Sequence, residues 1–351
     1  MTSIAGIFHL LSRAIPGRNP SAIVRRLRIV MYAVLHPVAA RIWLSTLASN
    51  ALLGEIAIRN RRYLERPFRQ FIQAGMRAGE RAALLRGHFR VVQECFGDEW
   101  VRSLYLDAQD QTLAVCGRYA VVLREPVRCW REGLLTVAWR DVVAQVDLAW
   151  ATVSFEWHAE SGKRGALIGG LQGPASEGRE QVREATRACH GLRPKAAVLE
   201  VVCALCRIAG VDELAGVTKK THVSYATQSQ MSADYDGFWQ EIGGVEANGR
   251  YVLPLHLHHR DISEVPSHRR AAFRRRQALI ADLLAQIASA METDQAEKAT
   301  PTPLNHPKPD NPIVDLATLR AIDHFGAEPR IVVEIGEPMQ SDPRRQQKIA
   351  A

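Results

Sequence analysis

The side chains best placed to do chemistry lie between residues 165 and 276. Gly191, Arg193 and Lys195 stand together in the run HGLRPK (190–195). Pro194 sits where the first residue of a helix belongs, so the run predicts a helix opening. Unpaired backbone N–H groups at such an opening, flanked by two cations, favour an anion. The plainer alternative is that Arg193 and Lys195 reach carboxylates elsewhere. A second cationic group, Arg269, Arg270, Arg274, Arg275 and Arg276, crowds the first turns of a helix predicted to start at Ser267. Like charges against the helix dipole cost stability, so the cluster asks for an acidic partner: protein carboxylates, phosphate groups or lipid heads. Little aromatic interleaving accompanies it, which argues against single-stranded nucleic acid.

Two other patterns have a chemical and a bland reading. His256 and His258, two apart on a predicted strand and beside His259, have the spacing of metal ligands. No acidic or cysteine ligand accompanies them, so a solvated edge is the reading and no metal is expected. Cys203 and Cys206 form a CxxC inside an apolar helix with no second pair nearby. Small core residues fit them better than redox or metal chemistry.

The bulk numbers bound these readings. The chain has 351 residues, 47% of them hydrophobic, enough for one large domain or two modest ones. A net charge of +8 and a pI near 9.4 favour anionic partners over acidic-site chemistry, although an arginine-rich surface would give the same numbers. Six scattered cysteines imply no disulfide framework. The apolar run 4–11 has no preceding base and no following cleavage site, and the region 30–53 is interrupted by Arg41. Neither is a signal peptide or a spanning helix. The expected location is the cytoplasm, with peripheral contact at the inner membrane as a further option.

Several elements must hold these groups in place. Ile4, Ile7, Phe8, Leu11 and Ile15 fall at helical spacing in a terminal tail, 1–18, read as a frayed end or a membrane-touching anchor. Asn19-Pro20 starts a helix. Further helices are predicted over 41–57 and 67–89, giving a helical region 19–96. From Trp100 the period changes. Short apolar runs at 104–106, 113–116, 119–123, 134–139, 146–157 and 166–171 predict a mostly antiparallel sheet of four to six strands. A helix capped by Ser176 with Glu177 and Glu180 in its first turn follows, and His190-Gly191 ends it. The most hydrophobic helix then runs from Pro194 to a stop at Gly210. A strand over 214–218, a helix over 235–242 capped by Ser232 or Asp234, an Asn248-Gly249 turn and a strand over 251–258 come next. The last helix runs to about residue 291. These make an α+β core, 97–291, before a tail, 292–351, rich in Pro, Thr and Asn and expected to be mostly disordered.

The stretch 166–276 resembles the VirK family of bacterial proteins. The matching pieces are IGGLQGP (168–174), HGLRPK (190–195), YDGFWQEIGG (235–244) and PSHRRAAFRRR (266–276); ERPFRQF (65–71) and GHF (87–89) extend the likeness to about 20–290. The resemblance implies a part in virulence, surface-protein localisation or resistance to antimicrobial peptides. It carries no catalytic residues. A second likeness is to the acetyltransferase-type fold that binds coenzyme A. GLRPKAAVLEVVCALCRIAGVDELAGVT looks like its pyrophosphate-loop helix and following strand, and DYDGFWQEIGG like its next helix. Arg193 stands where that loop has a glycine, and an extra helix precedes the loop. The likeness implies coenzyme A or another acyl donor near Gly191, Arg193 and Lys195. It also implies Glu156 or His158 as general base and Tyr235 as general acid, each with a structural role as the alternative.

The expectation is therefore an N-terminal helical layer on a mixed sheet with an acetyltransferase-like second half. Two functions remain open. One is a VirK-like accessory factor binding an anionic lipid, an envelope component or an acidic protein. The other is an acyl- or aminoacyl-transferase. Nucleic acid is a distant third.

Overall fold

A computed structural model describes residues 4–127, 129–225 and 234–299. The N-terminal helices start and stop where local chemistry dictates. Helix α1, Ile4–Ala14, buries Leu10, Leu11 and Ala14 and packs on the third and fourth helices, so this end is docked rather than frayed. Asn19 caps α2, Pro20–Leu35, by accepting from Ala22 N–H at 2.9 Å. Helix α3 begins at Pro37, not residue 41, because proline is preorganised for a first turn. The helix expected over 41–57 is two: Asn50 accepts from Leu53 N–H at 3.1 Å and starts α4, Ala51–Arg59. A short α5, Arg62–Glu65, follows.

The helix expected over 67–89 also differs. Arg66–Phe68 form a tight turn, Gln73 bridges in extended form to His222, and α6 begins only at Ala78 and runs to Cys95. Its Gly87 sits against β-strand backbone, where a Cβ would meet Trp157 N at 2.7 Å. That close approach presses the helical layer onto the sheet. The run 104–106 is no strand. After α7, Asp98–Val101, it forms a wide helical turn over Arg102–Leu106. Val101, Leu104 and Tyr105, at helical spacing, are the buried positions.

The sheet has eight strands in the order β1-β2-β3-β4-β5-β6-β8-β7. Their ranges are β1 Gln111–Cys116, β2 Tyr119–Arg124, β3 Leu135–Asp141, β4 Val146–Trp157, β5 Arg164–Gln172, β6 Glu213–Val217, β7 Val245–Ala247 and β8 Arg250–Leu253. Every neighbouring pair is antiparallel except β5 and β6. The β5–β6 crossover carries α8, Arg179–Ala188, and α9, Pro194–Ile208. Helix α8 starts at Arg179 after a tight turn over Ser176–Gly178, with Gly178 at the cap position; the Ser176 side chain lies outside the described residues. Glu180 is in the first turn and Glu177 is not. Helix α9 is buried along nearly its whole length and packs on β3 and β4.

Asp234 caps α10, Tyr235–Glu241, through Gly237 N–H at 3.0 Å, while Ser232 lies outside the described residues. Asn248 and Gly249 take φ of +53° and +74°, as a tight hairpin demands. The last strand ends at Leu253, because Pro254 has no N–H for the ladder. His256 and His258 therefore share no strand face. The final helix, α11, spans Arg270–Ala299 and packs on β1 and α9. It overruns the expected end at 291; residues 300–351 lie outside the described residues.

Candidate anion-binding cavity

The parallel pair sets the site. Strand β5 pairs with β6 only over residues 165–168, yet β5 continues to Gln172. The chain beyond Ile168 has left its parallel neighbour, and a crevice opens at the carboxyl ends of the two strands. Open sheets take ligands at such places. The crevice holds a cavity of about 1040 Å³. The end of β5, the inward row of α8, the start of α9, His222 and α10 line it.

Its floor is built around Glu132, which is 6% exposed. Two adjacent glycines in β5 admit it. A Cβ on Gly169 would lie 1.8 Å from the Glu132 carbonyl oxygen, and one on Gly170 would lie 2.0 Å from Glu132 Oε2. Gln172 Nε2 donates to both carboxyl oxygens, at 2.7 and 2.9 Å. Burial raises the carboxyl to about 7, against the lowering effect of its hydrogen bonds from Cys129 and Gln172. Cys129 stays a thiol, pushed up to about 11 by the same burial.

His222 faces Glu132, with Nε2 3.6 Å from Oε1. Its Nδ1 accepts from Ser224 N–H at 3.2 Å, so Nε2 carries the proton. That Nε2 is buried without a hydrogen-bond partner among the described residues. Burial, with the Arg131 charge second, holds the imidazole down at about 4 and thus neutral at pH 7. The ring stacks on Tyr235 with centroids 5.2 Å apart. The Tyr235 hydroxyl accepts from Leu171 N–H at 3.4 Å, which leaves its own proton to give. Burial raises its pKa well above the ordinary phenol value.

The rim is cationic. Arg179, Arg183 and Arg187 recur every fourth residue along α8. The latter two share Glu180, at 3.2 and 2.7 Å. Arg193 and Lys195 line the cavity from the start of α9, and among the described residues neither has an ion-pair partner. Burial lowers the Lys195 ammonium below its ordinary value. The α9 start has no side-chain cap. His190 and Gly191, with φ of +53° and +88°, turn the chain into it. Arg276 Nη1 comes within 3.8 Å of where a Gly191 Cβ would stand. None of the five arginines of that cluster is among the residues lining the cavity. Arg269, Arg274 and Arg275 are exposed, and Arg270 Nε donates to Val265 O at 2.9 Å. None of the five has an ion pair among the described residues.

The remaining sequence candidates lie elsewhere. Glu156 is ion-paired with Arg250 at 3.1 Å, and His158 is exposed; neither lines the cavity. His259 instead meets Glu200 at 3.0 Å. Among the described residues no group of three or more His, Cys, Asp or Glu could hold a metal. Cys203 and Cys206 are buried thiols held well above their ordinary pKa by burial. Sequence reasoning missed Glu132, Gln172 and His222. The one available signal was the glycine pair at 169–170, which marks a strand that something approaches closely.

Residues 18–289 match the family described as "Protein of unknown function (DUF535)", and the chain belongs to that family. It is 28% identical over 276 residues to the uncharacterized protein YbjX of Escherichia coli K12, covering 75% of this chain and 82% of that one. An uncharacterized protein of Haemophilus influenzae is 36% identical over 120 residues, covering 33% and 40%. "Membrane protein LapB" of Mannheimia haemolytica is 42% identical over 55 residues, covering 15% and 24%. No solved structure matches, so the comparisons give no relation to the acetyltransferase-type fold. No helix among the described residues is long and apolar enough to cross a membrane.

Proposed function

We propose that the cavity binds a small molecule with phosphate or similar anionic groups on an apolar body, and that the protein transfers an acyl or aminoacyl group from it. One observation carries this reading: two cations without ion pairs among the described residues, at the start of α9, open onto the same cavity as a carboxyl whose pKa burial raises to about 7. The apolar lining from Leu148, Leu171, Leu199 and Phe238 suits an acyl or pantetheine-like arm. The single parallel pair in an antiparallel sheet, with a buried helix opening at its gap, supports a thioester donor of the coenzyme A type. Attack of an amine or hydroxyl on the thioester carbonyl frees a proton, which ionised Glu132 accepts. The C–S bond then breaks, and the leaving thiolate takes a proton from Tyr235. The N–H of His222 faces Glu132 and favours, before attack, the ionised form that can act as base. Arg193 and Lys195 hold the donor's phosphates. Glu156 and His158 take no part.

A second reading keeps the chain as an accessory factor of the cell envelope, favoured by the relative named a membrane protein and by the exposed Arg269, Arg274 and Arg275. There the arginines meet an anionic lipid or an acidic protein from the cytoplasmic side. A thermal-shift panel separates the two. Coenzyme A or its acyl esters at a hundred times Kd stabilise by about 2.7 kcal/mol through mass action. A clear rise in melting temperature, lost in Lys195→Ala, supports transfer. No rise at millimolar ligand removes it and leaves the envelope reading.

A further inference from the structure

Residues 1–54 contain six arginines and no aspartate or glutamate; the first acid is Glu55. Within this stretch α2 carries an apolar row that the fold does not bury. Val24, Leu27, Met31, Val34 and Leu35, continued by Val38 on α3, are 51–74% exposed. Their spacing places them on one side of the helix. The other side, with Ala22 and Ile29, already packs inward. A helix apolar on both sides wants a second apolar surface.

Charge says which surface. Arg25 and Arg28 run along one border of the row, at the 100° per residue of an α-helix. Beside that border lies a separate cavity of about 310 Å³, between α2 and the segment 61–69. Among the described residues six arginines line it, Arg25, Arg28, Arg61, Arg62, Arg66 and Arg69, with Glu65 as the one carboxylate. Glu65 is shared by Arg28 and Arg69. Arg66 is 2% exposed and gives Nη2 to the Trp130 and Gly133 carbonyls. Its Nε is buried with no hydrogen-bond partner among the described residues, and so is the Nε of Arg28. Buried guanidinium donors left open in a basic pocket fit a phosphate oxygen. An apolar row bordered by such a pocket matches a bilayer, with acyl chains under the row and headgroup phosphates at its edge.

We infer that α2 docks this protein on an anionic phospholipid membrane, its apolar row entering the acyl boundary while the adjoining arginine cavity takes a headgroup phosphate. The inference is independent of the larger cavity and of any transfer chemistry.

Vesicle flotation of the full chain tests it. At low salt the protein should float with vesicles of phosphatidylcholine plus phosphatidylglycerol, and far less with phosphatidylcholine alone. Leu27→Glu with Val34→Glu, both at exposed positions, should cut the bound fraction at least about tenfold without changing the circular dichroism spectrum. Should that pair unfold, Arg25→Gln with Arg62→Gln, also exposed, should reduce binding and flatten its salt dependence. Three results would overturn the inference. The first is absence of wild-type flotation at low salt. The second is a melting-temperature rise with inorganic phosphate but no vesicle binding, which makes the cavity a free-anion site. The third is a dimer in solution that Leu27→Glu with Val34→Glu dissolves, which makes the row a self-association face.

Discussion

Glu132 is the residue on which the cavity's chemistry turns, and its protonation leaves a thermodynamic trace. Unfolded, it ionises near 4.5; folded, near 7. The folded state holds the proton more tightly, so this contribution to stability is complete below pH 4.5 and is lost as pH rises through 7. The difference is on the order of 3 kcal/mol for so buried a group. Glu132→Gln should therefore leave the melting temperature little changed at pH 4.5 and raise it at pH 8, as thermal denaturation at the two values will show. Any transfer activity should fall in the same variant. Lys195 makes a parallel case. It has no ion-pair partner among the described residues, so Lys195→Met should hold or raise the melting temperature by roughly a degree or two while weakening an anionic ligand. A gain in stability with a loss of binding is the signature of a functional rather than a structural lysine. At this scale the sequence was half legible. Arg193 and Lys195 announced themselves through the proline between them. Glu132 did not, because its burial comes from β5, more than thirty residues away.

At the scale of elements the glycine pair decides most. Gly169→Ala sets a Cβ against backbone, the Glu132 carbonyl, which cannot swing aside. It should cost at least about 1–3 kcal/mol by overpacking. Gly170→Ala meets the carboxyl group itself, which can rotate. It should destabilise less in chemical denaturation while expelling Glu132 from its Gln172 grip, so the pH dependence of stability should shrink. Strands and helices with clear periods were readable, among them β1–β5, α9 with its Pro194 and Gly210 ends, and the Asn248-Gly249 hairpin. Errors arose where one pattern fits two structures. The three apolar residues 104–106 suit a strand or a helical turn, and Val101 settles the matter by completing a helical face. The alternation over 251–258 pointed to a strand that Pro254 stops.

At the scale of the molecule, pieces scattered in sequence share one place. The IGGLQGP, HGLRPK and YDGFWQEIGG runs border the larger cavity, and Arg276 from the last run reaches Gly191. Convergence of separate runs on one concavity is what a ligand site produces, whereas a plain core would spread them. The strand order could not be read, because the single parallel pair depends on a crossover through two helices. Nor could the arginine cavity beside α2, which joins residues forty positions apart. The cationic rim has a whole-molecule consequence: anion binding should weaken as salt screens it, over a Debye length near 8 Å at physiological strength. The most direct measurement is a calorimetric titration of coenzyme A into the wild type and Lys195→Met at low and high salt. Binding to the wild type that falls with salt, and at least about tenfold weaker binding in the variant, is the predicted result. Absence of binding to the wild type, or equal affinity in both proteins, would contradict an anion-holding cavity at the start of α9.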